Sequence, residues 1–238
     1  MKSSKWLVLV LVTYAVVFAS SYSLRRGGVK AVSENSVVAL PVIDRRDRDA
    51  GTSNLTASSY RLDATRSKFI AHALAGGLFW FKGHDHLVAV RDFTGEAFLD
   101  PDAVANSSLQ ITAKAASMEE TSSVFTAPQK QIINKELREI VLLPDQYPDI
   151  IFKSTRVSGK STASGQYDLK ITGNLTLHGV TRPVTIPTKV TVTGNDLRAQ
   201  GEFSISRDDF NVKATSAFHG LVRVRDKVKF EFDIVGQL

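Results

Sequence analysis

Residues 170–188 read KITGNLTLHGVTRPVTIPT, and their parity decides the fold. Counted from just upstream, Tyr167, Leu169, Ile171, Gly173, Leu175 and Leu177 share one parity, while Asp168, Lys170, Thr172, Asn174, Thr176 and His178 share the other. A period of two, with one dry face and one wet face, is the pattern of a half-buried β-strand. The alternation breaks across residues 178–183 (HGVTRP) and resumes with Val184, Ile186, Thr188, Val190 and Val192 on one side. The expectation is an antiparallel pair joined by a turn built on Gly and Pro.

The same period recurs on both sides of this pair. Downstream, Leu197, Ala199, Gly201, Phe203 and Ile205 alternate with polar residues. The last stretch sets Val222, Val224, Val228, Phe230, Phe232 and Ile234 against a wet face of Arg, Lys, Glu and Asp. Asp226 interrupts that dry face and marks either a bulge or a polar group inside. Upstream, residues 60–63 and 67–74 form an opening strand that ends at Gly76-Gly77, followed by Phe79-Trp80-Phe81. A strand-like run over 87–99, interrupted by Gly95, ends in the turn signal Asp100-Pro101-Asp102, and Leu109, Ile111 and Ala113 continue the alternation. Only between Thr126 and Val141 does the period change: Ile133, Leu137, Ile140 and Val141 are spaced as one face of an amphipathic helix. Thr126 with Gln129 is a capping-box pair at its start. Many half-dry strands and one helix predict an all-β fold, a closed or nearly closed antiparallel barrel.

The residues 173–184, G-x-L-T-L-H-G-V-T-R-P-V, follow by about twenty residues a Y-P-x-I-x-F-x-S segment made by Tyr147, Pro148, Ile150, Phe152 and Ser154. Together they resemble the signature of the YceI-like family of lipid-binding, lipocalin-like bacterial proteins. Gly83-His84, the Arg91-Asp92-Phe93-x-Gly95 run and the Arg207-x-Asp209-Phe210 element add to the likeness. Two positions depart from it: His86 stands where a Pro is common, and Asn211 stands in place of a glycine. The resemblance implies a lipocalin-like eight-stranded antiparallel barrel with the helix inserted between strands. It also implies an elongated pocket for polyisoprenoid lipids, quinones included.

The first 59 residues differ in character from the rest. Lys2 and Lys5 precede an apolar run over residues 6–19, and small residues follow, so residues 1–20 read as a secretory signal peptide or an N-terminal anchor. Residues 21–59 show no sustained periodicity and read as a flexible linker, which leaves 60–238 as the barrel domain. A periplasmic or secreted protein is expected, with membrane association through the N-terminal segment if that segment is retained. The chain has no cysteine, so disulfides, thiolate catalysis and lipid attachment through cysteine are excluded. The net charge of +6 is misleading, because residues 1–59 hold eight Lys/Arg against four Asp/Glu and the remainder is close to balanced. That remainder lacks the concentrated basic footprint of a nucleic-acid-binding domain.

The inward face suits a long apolar ligand, since burial is worth about 25 cal/mol per Å² and hydrocarbon offers little else. Phe93, Phe152, Leu175, Leu177, Phe203, Phe230 and Phe232 are the candidate lining. Phe79, Trp80 and Phe81 form either an aromatic mouth or a plug. His84, His86 and Asp226 are the candidates to meet a polar head group. Gly173 and Gly201 either leave room for a ligand chain or let the strands bend. Imidazole pairs also bind metals, but no acidic residue lies near His84 and His86 in the right phase, and no metal or other cofactor is expected. His178 is expected to tie the backbone of its turn. No G-x-S-x-G elbow, H-E-x-x-H or phosphate-cradling loop is present, so catalysis is not expected. The reading is a carrier of an isoprenoid-type lipid. Its alternatives are a metal-assisted enzyme using His84 and His86, and a packed barrel serving as an interaction module.

Overall fold

A computed structural model describes residues 56–77, 83–217 and 222–238. The strands are β1 (Ser58–Gly76), β2 (His86–Val90), β3 (Phe93–Leu99), β4 (Ser108–Lys114), β5 (Met118–Glu120), β6 (Asp149–Ala163), β7 (Gln166–Leu177), β8 (Val180–Thr193), β9 (Asp196–Ser206), β10 (Ser216–Ala217) and β11 (Val222–Gln237). A helix, α1 (Ala127–Glu136), lies between β5 and β6. Every pairing is antiparallel, and β11 pairs with β1, so that β1-β3-β4-β6-β7-β8-β9-β11 close into a barrel of eight strands. This is the predicted fold, and closure removes the exposed sheet edges that an open sheet would carry.

β2 and β5 prolong this ring at one end. β1 pairs with β3 through residues 58–61 and with β2 through residues 70–73, so β2 and β3 are one strand with a break. The break lies at Arg91-Asp92 and not at Gly95, which sits within β3. Its cause is a tight turn at Ala115–Ser117 on the neighbouring strand: the Asp92 backbone N–H donates to Ser117 Oγ at 3.0 Å, and Lys114 N–H donates to the Asp92 carbonyl at 2.9 Å. Both strands therefore kink at one level. Beyond the kink β5 pairs only with β2, and the chain continues into the helix.

The central hairpin turns on two residues. His178 (φ 52°) and Gly179 (φ 74°) occupy the left-handed region, as a two-residue turn with the twist of its strands requires. β8 resumes at once with Val180 opposite Leu177, so the turn is shorter than the six-residue break in the sequence pattern suggests, and Pro183 and Pro187 lie inside the strand. From Val180 to Pro187, β8 pairs with β7 alone; its pairing with β9 begins at Thr188 opposite Gly201.

The helix starts as its sequence dictates, with the Thr126 N–H donating to Gln129 Oε1 at 2.8 Å and Pro128 in its first turn. Past Glu136 the winding widens into a π-helical turn, Leu137–Leu142, closed by Leu143 N–H on the Arg138 carbonyl. The wider winding changes the phase of the apolar face. Ile140, expected on the dry side, is exposed, and Leu142 is buried in its stead. Among the described residues no helix is long and apolar enough to cross a membrane.

Candidate binding site: two chambers in the barrel lumen

Many inward side chains contact one another without filling the barrel. Phe69, Ile111, Ile150, Phe203 and Phe230 point to the core yet stay partly accessible, which a solidly packed interior would not permit. The space they leave is a pair of adjoining chambers that share part of their walls. The inner chamber, about 130 Å³, is walled by Leu62, Phe152, Leu169, Ile171, Ile186 and Phe232 among others, with Ser107, Ser108 and Thr188 its polar residues. The outer chamber, about 370 Å³, lies at the helix end and is walled by Val88, Leu177, Ile205, Val228 and Phe230, with Ile133, Leu137, Val141 and Leu142 from the helical segment. That volume falls in the range of about 300–1,000 Å³ typical of small-molecule sites.

Two small-residue positions shape the wall. A Cβ on Gly173 would meet Cζ of Phe152 at 2.6 Å, and one on Gly201 would meet Cζ of Phe232 at 2.7 Å. Each glycine thus lets a neighbouring phenylalanine ring lie against the strand, and the room it makes is taken by protein. The space is therefore not left for a ligand chain, while the register shift between Ser154 and Arg156, opposite Gly173, agrees with strand bending there.

The rim of the outer chamber is polar. His84, His86, Glu136, Arg207, Lys213 and Arg223 line it. Arg207 is mostly buried, pairs with Asp208 Oδ1 at 2.7 Å and donates to the Val212 carbonyl, while its Nε has no partner among the described residues. His86 stacks on Phe125 with centroids 5.2 Å apart, and His84 meets the same ring edge-on at 5.7 Å. The acidic partner of His86, which its sequence neighbourhood lacks, comes from β5: Glu120, its side chain fully buried, accepts from His86 Nδ1 at 2.8 Å. It also accepts from the Ser122 and Leu87 backbone N–H groups, and its own N–H donates to Asn134 Oδ1 on α1 at 2.7 Å. Burial works to raise the Glu120 carboxyl, but the His86 ring and these backbone donors outweigh it and hold the group below the usual carboxylate range. With Nδ1 engaged, His86 has Nε2 left for a ligand. Among the described residues no group of three His, Cys, Asp or Glu side chains is arranged to hold a metal ion.

Of the residues singled out in the sequence, Phe152, Leu175, Phe203 and Phe232 line the inner chamber, and His84, His86, Leu175, Leu177, Phe203 and Phe230 line the outer one. Phe93 is buried behind Phe69, whose ring it meets edge-on at 6.4 Å, and it lines neither chamber. Asp226 lies away from both. It sits in a bulge of β11 between Val224 and Val228, where its carboxylate accepts from the Asp208 N–H at 2.9 Å, and that donor keeps its pKa low. Phe79, Trp80 and Phe81, like residues 1–55 and His219, lie outside the described residues. His178 packs against Tyr147 with centroids 4.2 Å apart, and its Nε2 is buried with no partner among the described residues, in place of the expected bond to the turn. Phe69, which lines both chambers, and the helical residues are not singled out by the sequence pattern.

A closed antiparallel barrel with a helix at one end and an apolar lumen defines the lipocalin-like class of binding barrels. Within it the family is clear: the YceI-like domain model matches residues 60–236, and the chain belongs to that family. It is 32% identical over 165 residues to Protein YceI of Escherichia coli, an alignment covering 66% of this chain and 78% of that protein. Among solved structures, BcnA of Burkholderia cenocepacia superposes with a TM-score of 0.58 at 24% identity, covering 73% of this chain and 98% of that one. A domain from Saccharophagus degradans, described as polyisoprenoid binding and implicated in plant cell wall breakdown, superposes with a TM-score of 0.50 at 12% identity, covering 75% and 97%. These two likenesses establish the fold.

Proposed function

We propose that the barrel carries an isoprenoid-type lipid, a polyisoprenoid or a prenylated quinone, and performs no chemistry on it. The observation that carries this reading is the lumen: two adjoining chambers walled almost wholly by carbon. Such a wall recognises a hydrocarbon tail by area, at about 25 cal/mol per Å² removed from water, and gives a polar substrate nothing to bind. The tail lies in the chambers. The head stays at the polar rim, within reach of His84 and His86. Membership of the YceI-like family and the description of the Saccharophagus degradans domain support the same ligand class. A lumen that its own side chains do not fill favours this reading over a packed interaction module.

On the same reading residues 1–20 export the chain or tether it, residues 21–59 are the linker, and the protein works in the periplasm or outside the cell. Carriage then means shielding the tail from water between membrane encounters.

The test is organic extraction and mass spectrometry of the protein isolated from an envelope fraction without detergent. One prenyl lipid at about one per barrel is the expected result. A folded barrel that yields no lipid, and takes up none offered to it, overturns the reading.

A further inference from the structure

The lumen is divided. Five residues line both chambers: Phe69 from β1 and Phe203 from β9 on one side, and Ala113, Ile150 and Leu175 from β4, β6 and β7 on the other. They form a waist between the outer 370 Å³ and the inner 130 Å³. Its aromatic side is braced. Phe69 meets Phe230, Phe93 and Phe232 at centroid distances of 6.0, 6.4 and 6.4 Å, each edge-on. Phe203 stacks on Phe230 at 5.0 Å with 12° between the planes. Phe93 is buried behind Phe69, so the Phe69 ring has no open space on that side into which to withdraw.

We propose that this waist gauges the length of the ligand's hydrocarbon tail, with Phe69 as the residue that sets the gauge. The inference rests on the lipid-carrying reading above and adds a specificity determinant to it. A tail short enough for the outer chamber gains affinity with every methylene buried. From the outer chamber, a longer tail passes to the inner one by turning Phe69 or Phe203 out of its aromatic contacts. Interlocked rings resist this because a packed interior yields in discrete steps and not by smooth deformation. Affinity plotted against tail length therefore rises steeply, by about tenfold or more per isoprene unit, and then breaks.

The experiment uses the purified full chain and a series of prenyl alcohols, geraniol, farnesol, geranylgeraniol and solanesol, with binding read by displacement of a fluorescent fatty-acid probe. The wild-type protein should show a break within the series. Phe69→Ala should move it to longer tails. Ala113→Leu, which fills the waist from the opposite wall and opens no cavity, should move it to shorter tails, and circular dichroism of each variant reports whether the barrel is intact. A series that climbs without a break, or a break that stays in place in both folded variants, overturns the gauge and leaves the carrier reading standing. Failure of the wild-type protein to bind any of the alcohols, or the probe, counts against both.

Discussion

The buried carboxylate of Glu120 lies 2.8 Å from Nδ1 of His86, and together they tie β5 to β2 where these two strands prolong the ring beyond its kink. Three donors converge on this one carboxylate: the His86 ring and the Leu87 and Ser122 backbones. Removing its charge should lower stability at neutral pH by about 1–3 kcal/mol. The sign with pH follows from its depressed pKa. The stabilisation is present above the unfolded value of about 4.3 and is lost as pH falls through the lower folded value. Urea titrations of the wild type and Glu120→Gln should therefore differ at pH 7 and converge in acid. A gap that is constant with pH would show that the charge is not what matters.

His178 supplies a second pH dependence in a higher window. Burial, with Lys213 nearby, holds its pKa below the ordinary value of about 6.5. The unfolded chain then binds a proton that the fold resists, so stability is kept above about pH 6.5 and falls as pH drops through the folded value. His178→Asn keeps a residue that tolerates the positive φ and removes the titration. Thermal melts between neutral and mildly acidic pH should slope less for the variant. Equal slopes would assign the effect elsewhere.

Gly201→Ala should destabilise the barrel although it adds one methyl group. The new Cβ would collide with the Pro187 carbonyl oxygen of β8 and with the Phe232 ring of β11. Forcing atoms into a filled space of this kind costs about 1–3 kcal/mol, measured as the change in urea midpoint at constant slope.

Asn134→Ala should loosen the helix selectively. Its side chain accepts the Glu120 N–H, so the change strands a donor at the edge of β5, at a cost of about 1–3 kcal/mol. Hydrogen exchange should quicken in α1 and β5 while the amides of β7 and β8 keep their protection. Uniform quickening across the barrel would mean that the helix does not open on its own.

The barrel was legible because β7, β8 and β9 keep strict alternation over long runs. Phe69 was not, for a local reason. Between Asp63 and Lys68 the chain bulges, pinned by Asp63 Oδ1 accepting from Thr65 and Arg66, so inward residues shift from the parity of Tyr60 and Leu62 to that of Phe69 and Ala71. No period of two survives that slip. The π-helical turn hid Leu142 in the same way by changing the phase that made Ile140 look buried. The link between His86 and Glu120 spans 34 residues and depends on the β2–β5 register, which local periodicity does not encode. Asp226 stood out as a break in the pattern, and the break is a bulge.

The two prolines of β8 bear on what the barrel avoids. Along Val180–Pro187 the strand has β7 on one side and lacks β9 on the other, where the turn Asp208–Phe210 lies alongside and Arg182 Nε donates to the Asp209 carbonyl, so its backbone there is not paired in a ladder and a foreign strand could compete for it. Pro183 and Pro187 fall opposite Asn174 and Lys170, positions that alternation from the turn makes non-bonding toward β7, so their missing N–H groups are subtracted from the open side. A ladder built there by another copy of the chain would lack donors at alternate rungs. Where β8 runs past the end of its pairing with β9, two imino acids thus protect the barrel against polymerising through that edge.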